Sequence, residues 1–266
     1  MPIQYRASVP TTAYFSAVLA VSAFAGEPQT NRKSEPFLDS LPWGRICAVE
    51  STLILQIDKP VADGVLTMPR LNNPVKAIYF RGTPDNELQL IPHPREWKIA
   101  LPPDRQDETG HAIVVQLEGT PYLPEKPRVV EPDEESQIRL AAHDVVTHGE
   151  SLRYEPQPHK NTVGYWTNPK DWAQWHFTVD RPGMFSVGVR YGCGDGQGGS
   201  VVRLECADQH LQWTVEATGG FQKWREIRPG TIRLDKPGKY SMVLRTVTMS
   251  HAAVMDVQQI MLVPDG

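Results

Sequence analysis

Three of the chain's seven tryptophans, Trp166, Trp172 and Trp175, fall within ten residues in the stretch "GYWTNPKDWAQWHFTV". Tyr165, Asn168 and Asp171 stand among them. Flat aromatic rings beside hydrogen-bonding side chains suit a ligand with apolar C–H faces and a polar rim. Tyr165, Trp166, Asn168, Asp171 and Trp172 are therefore the candidate binding residues. Packing competes with this reading. Ala173, Trp175, Phe177 and Val179 alternate with Gln174, His176 and Thr178, which predicts a half-buried strand with Trp175 in the core. Trp172 has the opposite parity. Trp166 precedes Asn168-Pro169, which is turn chemistry. A plug closing the end of a sandwich is an equally good reading of Trp166 and Trp172.

Other chemistry is weakly represented. "GDGQGG" matches G-x-G-x-x-G at Gly194, Gly196 and Gly199, but a dinucleotide fingerprint needs a following helix. "SVVRLEC" alternates as a strand instead, so the glycines read as a hairpin loop. His143, Asp144, His148 and Glu150 are close in sequence and have the types that bind a metal; polar residues on an edge strand are the commoner explanation. There is no H-E-x-x-H and no G-x-S-x-G elbow. Glycosidase chemistry needs two carboxyls at a fixed separation, and no pair declares itself in the sequence. No catalytic residue is assigned.

The elements that must position these residues are predicted to be strands. Short alternating runs are punctuated by 24 prolines and 20 glycines, a pattern of all-β architecture. A net charge of −4 argues against a nucleic-acid partner, which would require a basic face. Residues 1–25 read as a signal peptide: Arg6, then the apolar "AYFSAVLAVSAFA", then Ala23-Phe24-Ala25 as a cleavage site. That run is too short to span a bilayer. The expectation is a secreted or periplasmic protein with no membrane segment after cleavage. Export permits a disulfide. A Cys193–Cys206 bridge across a hairpin, with Cys47 free, and three reduced, buried thiols both fit the sequence.

Residues 121–137, "PYLPEKPRVVEPDEESQ", read as a proline- and acid-rich linker between segments 34–120 and 138–264. The first carries strand-like runs at Thr52–Ile57, Val65–Met68, Val75–Phe80, Leu88–Ile91, Trp97–Leu101 and Ala112–Leu117. The second has inward faces at Phe185, Val187, Val189 and Tyr191; at Val202, Leu204 and Cys206; at Leu211, Trp213 and Val215; at Tyr240, Met242 and Leu244; and a last strand over 253–263. The prediction is an all-β chain of two β-sandwiches, the second a jelly roll.

Segment 34–120 resembles the C-terminal region of secreted α-L-fucosidases, through "EPFLDSLPWGRIC", "STLILQIDKP", "DGVLTMPRLNNPVKAIYF" and "WKIALPP". In that family the segment is a sandwich packed on a catalytic barrel. This chain has Gln56 where the family has histidine and lacks a tryptophan before Pro60. A barrel needs roughly 250 residues, and only eight lie between Ala25 and Ser34. The resemblance thus implies a fucosidase relative with no catalytic domain. Segment 138–264 resembles galactose-binding-like jelly-roll modules appended to bacterial secreted sulfatases and glycosidases, a class that includes carbohydrate-binding modules. "GYWTNPKDWAQWHFTV", "GCGDGQGGS", "LDKPGKYSMVLR" and "AVMDVQQIMLVP" carry that likeness. It implies a structural calcium, with Asp256 matching the usual C-terminal acid and Asp144 and Glu155 standing loosely for the N-terminal pair.

The leading expectation is a secreted, non-catalytic glycan-binding protein, an accessory or remnant of a glycoside-hydrolase system. Its partners would be a fucose- or galactose-containing glycan and a glycosidase catalytic domain. The alternatives are an α-L-fucosidase-related chain, truncated or part of a split enzyme, and a structural module that docks to another protein.

Overall fold

The structure, a computed structural model, describes residues 35–61, 63–106, 109–123 and 127–265. The signal-peptide reading of 1–25 lies outside them. Among the described residues no helix is long and apolar enough to cross a membrane.

The chain is all-β. Strands Glu35–Leu41, Gly44–Val49, Thr52–Ile57, Ala112–Leu117 and Val75–Phe80 form a five-stranded sheet in that spatial order. Val65–Pro69, Glu96–Ala100 and Leu90–Pro92 form a three-stranded sheet. Leu53 and Leu55 of the larger sheet meet Leu66, Met68, Trp97 and Ile99 of the smaller in one core. Three of the strands expected here have the bounds their alternation gives. The first two strands escaped the pattern, and their pairing shows why. The register between Glu35–Leu41 and Gly44–Val49 slips twice, so the side chains do not keep a period of two.

The second core lies between two larger sheets. One holds Arg153–Glu155, Thr162–Gly164, Asp256–Pro264, Gly183–Cys193 and Gly220–Leu234 in that order, with Ile138–Ala141 also paired to Asp256–Pro264. The other runs Val146–His148, Trp172–Val179, Gly238–Thr248, Val201–Cys206 and Gln209–Thr214. Val129–Val130, inside the proline-rich stretch, adds to it as a short parallel strand beside His176 and Phe177. Trp175 and Phe177 from one sheet pack with Phe185, Val187 and Val189 from the other. This is the jelly-roll sandwich that the alternating faces imply.

The glycine loop corrects one expectation. Gly183–Cys193 and Val201–Cys206 belong to different sheets, so "GDGQGG" bridges the sandwich and is not a hairpin. Gly196 and Gly199 take φ of +71° and +102° there, a region that favours glycine. Cys193 and Cys206 consequently do not face each other as hairpin partners. Both are free and buried, and Cys47 is free as well.

Candidate functional site

Strand Thr162–Gly164 delivers the chain to Tyr165, whose φ is +59°. A bulky residue in the left-handed region is a strained outlier, and such strain clusters at functional sites. The bend sends successive side chains in opposite directions. Tyr165 is 53% exposed, whereas Trp166 is 1% exposed and joins the core. The Trp166 carbonyl accepts the Val254 N–H at 3.0 Å. Arg153 lays its guanidinium 3.6 Å from the Tyr165 ring centroid and approaches Glu155 at 3.9 Å. One ring face is therefore held by a cation, and the rest of the ring meets solvent.

The other three candidates go elsewhere. Asn168 makes a turn: its Oδ1 accepts the Lys170 N–H at 3.0 Å, and its carbonyl accepts the Asp171 N–H at 3.1 Å. Asp171 is buried and accepts from the backbone N–H groups of Glu150, Ser151 and Leu152 and from the Ser151 hydroxyl, at 2.7–3.0 Å. Burial alone would raise its pKa, but those hydrogen bonds to the charged form bring it below the ordinary carboxylate value. Gly149, with φ +113°, leaves no room for a Cβ beside that carboxylate. Trp172 is half-buried and stacked on His148, with centroids 3.6 Å apart and planes 6° from parallel. The Arg245 guanidinium lies 4.3 Å from the Trp172 centroid. His148 and Arg245 are its cross-strand neighbours on opposite sides, so both faces of the indole are covered. The five candidates do not form one platform.

Tyr165 stands instead at a different cleft, of about 290 Å3, near the small end of ligand sites. Glu155, Lys160, Phe221, Gln222 and Asp256 line it with Trp166 and Thr167. Glu155 and Asp256 are each 4% exposed, and both carboxyls crowd against Gly164. Topology brings them together, because Arg153–Glu155, Thr162–Gly164 and Asp256–Pro264 are consecutive in the sheet. Lys160 Nζ donates to Glu155 at 2.9 Å, and Gln222 Nε2 donates to Asp256 at 3.1 Å. Burial, and next the charge of Glu155, push the Asp256 pKa up to about 8. In its protonated form Asp256 offers an O–H as well as an acceptor. Arg153, Lys160, Phe221 and Gln222 were not anticipated from sequence. No motif joins them; they meet only through strand order.

Of the three acids expected to hold calcium, Glu155 and Asp256 meet at this cleft and Asp144 does not join them. Glu155 is engaged by Lys160 and Asp256 by Gln222. Asp144 sits apart, 3.4 Å from Arg128 and 3.6 Å from His143. Among the described residues no group of three or more His, Cys, Asp or Glu stands together as a metal site. The donors present do not fit a calcium ion, which takes six to eight oxygen ligands. His143 and His148 are likewise separate, His143 beside Asp144 and His148 on Trp172.

Residues 150–265 match a family model described as "Domain of unknown function (DUF5077)". No curated protein matches the chain. Among solved structures it is similar to an α-L-fucosidase from Vibrio sp. strain EJY3, with 15% identity, a TM-score of 0.36, and coverage of 84% of this chain and 40% of that one. The chain thus spans 40% of that fucosidase's length. It is also similar to the C-terminal CBM6 of a marine laminarinase from Zobellia galactanivorans, with 17% identity, a TM-score of 0.40, and 48% and 98% coverage. A carbohydrate-binding module from Cellvibrio mixtus lichenase 5A, in complex with cellotriose, gives 18% identity, a TM-score of 0.39, and 48% and 97% coverage.

Proposed function

We propose that the chain is a glycan-binding protein that holds a sugar at the Tyr165 cleft and performs no chemistry on it. One observation carries this reading: an exposed, strained tyrosine stands over a cleft lined by two buried carboxyl groups and an amide. The ring covers the C–H face of a pyranose, and the floor takes its hydroxyls. The two carboxyls are engaged by Lys160 and Gln222, which suits positioning of hydroxyls more than attack at an anomeric carbon. Export through residues 1–25 would place the protein outside the cell, beside a glycosidase catalytic domain and a fucose- or galactose-containing glycan.

A glycan array probed with the chain and with Tyr165→Ala tests the reading. The expected result is binding by the parent and its loss in the variant. Binding that survives the substitution unchanged would move the site elsewhere. The same preparations should release no aryl alcohol from aryl α-L-fucosides. Turnover that follows the protein through repurification would instead establish an enzyme.

A further inference from the structure

The two sandwiches meet along a seam. The Val75 N–H donates to the Pro156 carbonyl at 2.9 Å, and buried Arg70 donates to the Thr147 hydroxyl at 3.0 Å and the Val145 carbonyl at 3.4 Å. Pro74 and Glu118 from the first sandwich close a cleft of about 450 Å3 against Arg139, Asn161, Arg190 and Gln259 of the second. It shares no lining residue with the Tyr165 cleft.

The strand register explains the array. Leu140, Val189 and Ile260 are buried in the core. Arg139, Arg190 and Gln259 are their immediate chain neighbours and point to the opposite face. Arg190 pairs across the strands with Gln259, and Arg139 Nε donates to Gln259 Oε1 at 2.9 Å. Gln259 therefore stands between two guanidinium groups. Among the described residues, the Arg190 side chain has no hydrogen bond or ion pair, and the Arg139 side chain has only its Nε engaged. Asp144, also at this cleft, is taken up by Arg128. Glu118 is left facing two arginines, of which Arg190 has Glu226 as its cross-strand neighbour on the side away from Gln259.

Guanidinium forks with unused N–H groups recognise a carboxylate. The Glu118 carboxylate and the Asn161 and Gln259 amides are hydrogen-bonding groups suited to hydroxyls. We propose that the seam cleft is a second binding site, one that takes a small polyhydroxylated monoanion of the sugar-acid class. It exists only where the two sandwiches dock, so neither sandwich alone would carry it.

The test is calorimetric titration of the whole chain with D-galacturonate and, in parallel, with D-galactose, which differs by a neutral hydroxymethyl in place of the carboxylate. Galacturonate is expected to bind in the millimolar range or tighter and at least about tenfold better than galactose, the scale of one charge-assisted hydrogen bond. Arg190→Gln and Arg139→Gln should each weaken it by a similar factor, while Tyr165→Ala leaves it unchanged. Melting curves confirm that each variant is folded, and the wild-type comparison of the two sugars stands without any variant. A methyl galactosiduronate that binds equally assigns the site to a chain end; preference for the free sugar assigns it to the monosaccharide. No saturable galacturonate binding, equal binding of galactose, binding that ignores both arginine changes, or full competition by acetate at the same concentration would each overturn the proposal. Loss of galacturonate binding in Tyr165→Ala alone would place the sugar acid in the first cleft instead.

Discussion

Tyr165 and Trp172 lie seven positions apart on one loop-and-strand segment, yet the fold uses them in opposite ways. Arg153 covers Tyr165 from one side, and the ring is left half in solvent at the mouth of a cleft. Trp172 is closed on both sides by its cross-strand neighbours His148 and Arg245. The difference comes from their backbones. Trp172 sits in a regular strand with partners at hydrogen-bonding distance on each flank. Tyr165 sits just past a strand, at φ +59°, one residue beyond the last paired position, Gly164 opposite Arg153. An aromatic residue next to polar ones is thus left open to solvent here only where the strand ends.

The largest effects should come from the tryptophans that belong to neither category. Trp175 and Trp166 are both nearly inaccessible, so alanine at either should cost about 3–5 kcal/mol by denaturant titration, as for large aromatic truncations in cores. The pair divides on replacement by phenylalanine. The Trp175 Nε1 donates to the Ala141 carbonyl at 2.8 Å, whereas the buried Trp166 Nε1 has no partner among the described residues. Trp175→Phe should therefore be the more damaging of the two.

Asp171 ties the segment between the two aromatics to residues 150–152. Asp171→Ala strands three backbone donors and should cost about 3 kcal/mol. The sign with pH follows from the lowered pKa of the folded form. Its stabilisation is complete above the unfolded value of about 3.9 and disappears as pH falls through the lower folded value. Melts of the parent should accordingly steepen their decline in that acidic window, and those of Asp171→Ala should not. Equal slopes would show that the carboxylate is not held as described.

Alternation made most of this fold legible. Ala173, Trp175, Phe177 and Val179 are buried where Gln174, His176 and Thr178 are not, and that pattern fixed the strand and one tryptophan. Trp166 was less legible, because at a bend its direction depends on a single φ that propensity does not record. The Glu155–Asp256 pair was reached only through the resemblance that implies calcium, and nothing in the spacing of the residues announces it. Its members are about a hundred residues apart in sequence, joined by sheet order and not by spacing. The same holds for the seam cleft, where Glu118 and Arg190 come from different sandwiches. Glycine spacing misled at "GDGQGG", since a loop between sheets and a hairpin turn use the same residue.

The open ring should matter to binding more than to folding. Tyr165→Ala is expected to cost on the order of 2 kcal/mol of affinity for an array-selected glycan, the scale of an aromatic hot spot, with a melting temperature close to the parent's. Asp256 sharpens this. Its pKa of about 8 means that its O–H donor is lost as pH rises through that value, and affinity should fall with it. The folded state also holds this proton more tightly than the unfolded chain, so stability should decline from the unfolded value of about 3.9 up to about 8 and level off above it. Asp256→Asn keeps a donor at all pH values and should flatten both profiles. Profiles unchanged by the substitution would remove Asp256 from the site.

The smallest effect is expected at Trp172, and it decides whether the contrast with Tyr165 is real. Trp172→Ala gives up the stack on His148 and the contact with Arg245. An aromatic stack is worth about 0.5–1.5 kcal/mol and an exposed cation–π contact about 0.5–1 kcal/mol. The side chain is only half-buried, so the variant should lose about 1–2 kcal/mol of stability. Arg245 keeps its hydrogen bond to Glu205 at 3.3 Å and need not collapse into the gap. Burial, offset in part by a hydrogen bond to Gln174, lowers the pKa of His148. Removing the indole re-exposes it and should move its titration back toward the ordinary value, visible as a shift of its ring resonances with pH. Glycan affinity should not change, because neither indole face is free to meet a sugar. Loss of binding in Trp172→Ala at intact folding, with His148 titrating as before, would mean that the stack opens to admit ligand and that the two aromatics form one surface after all.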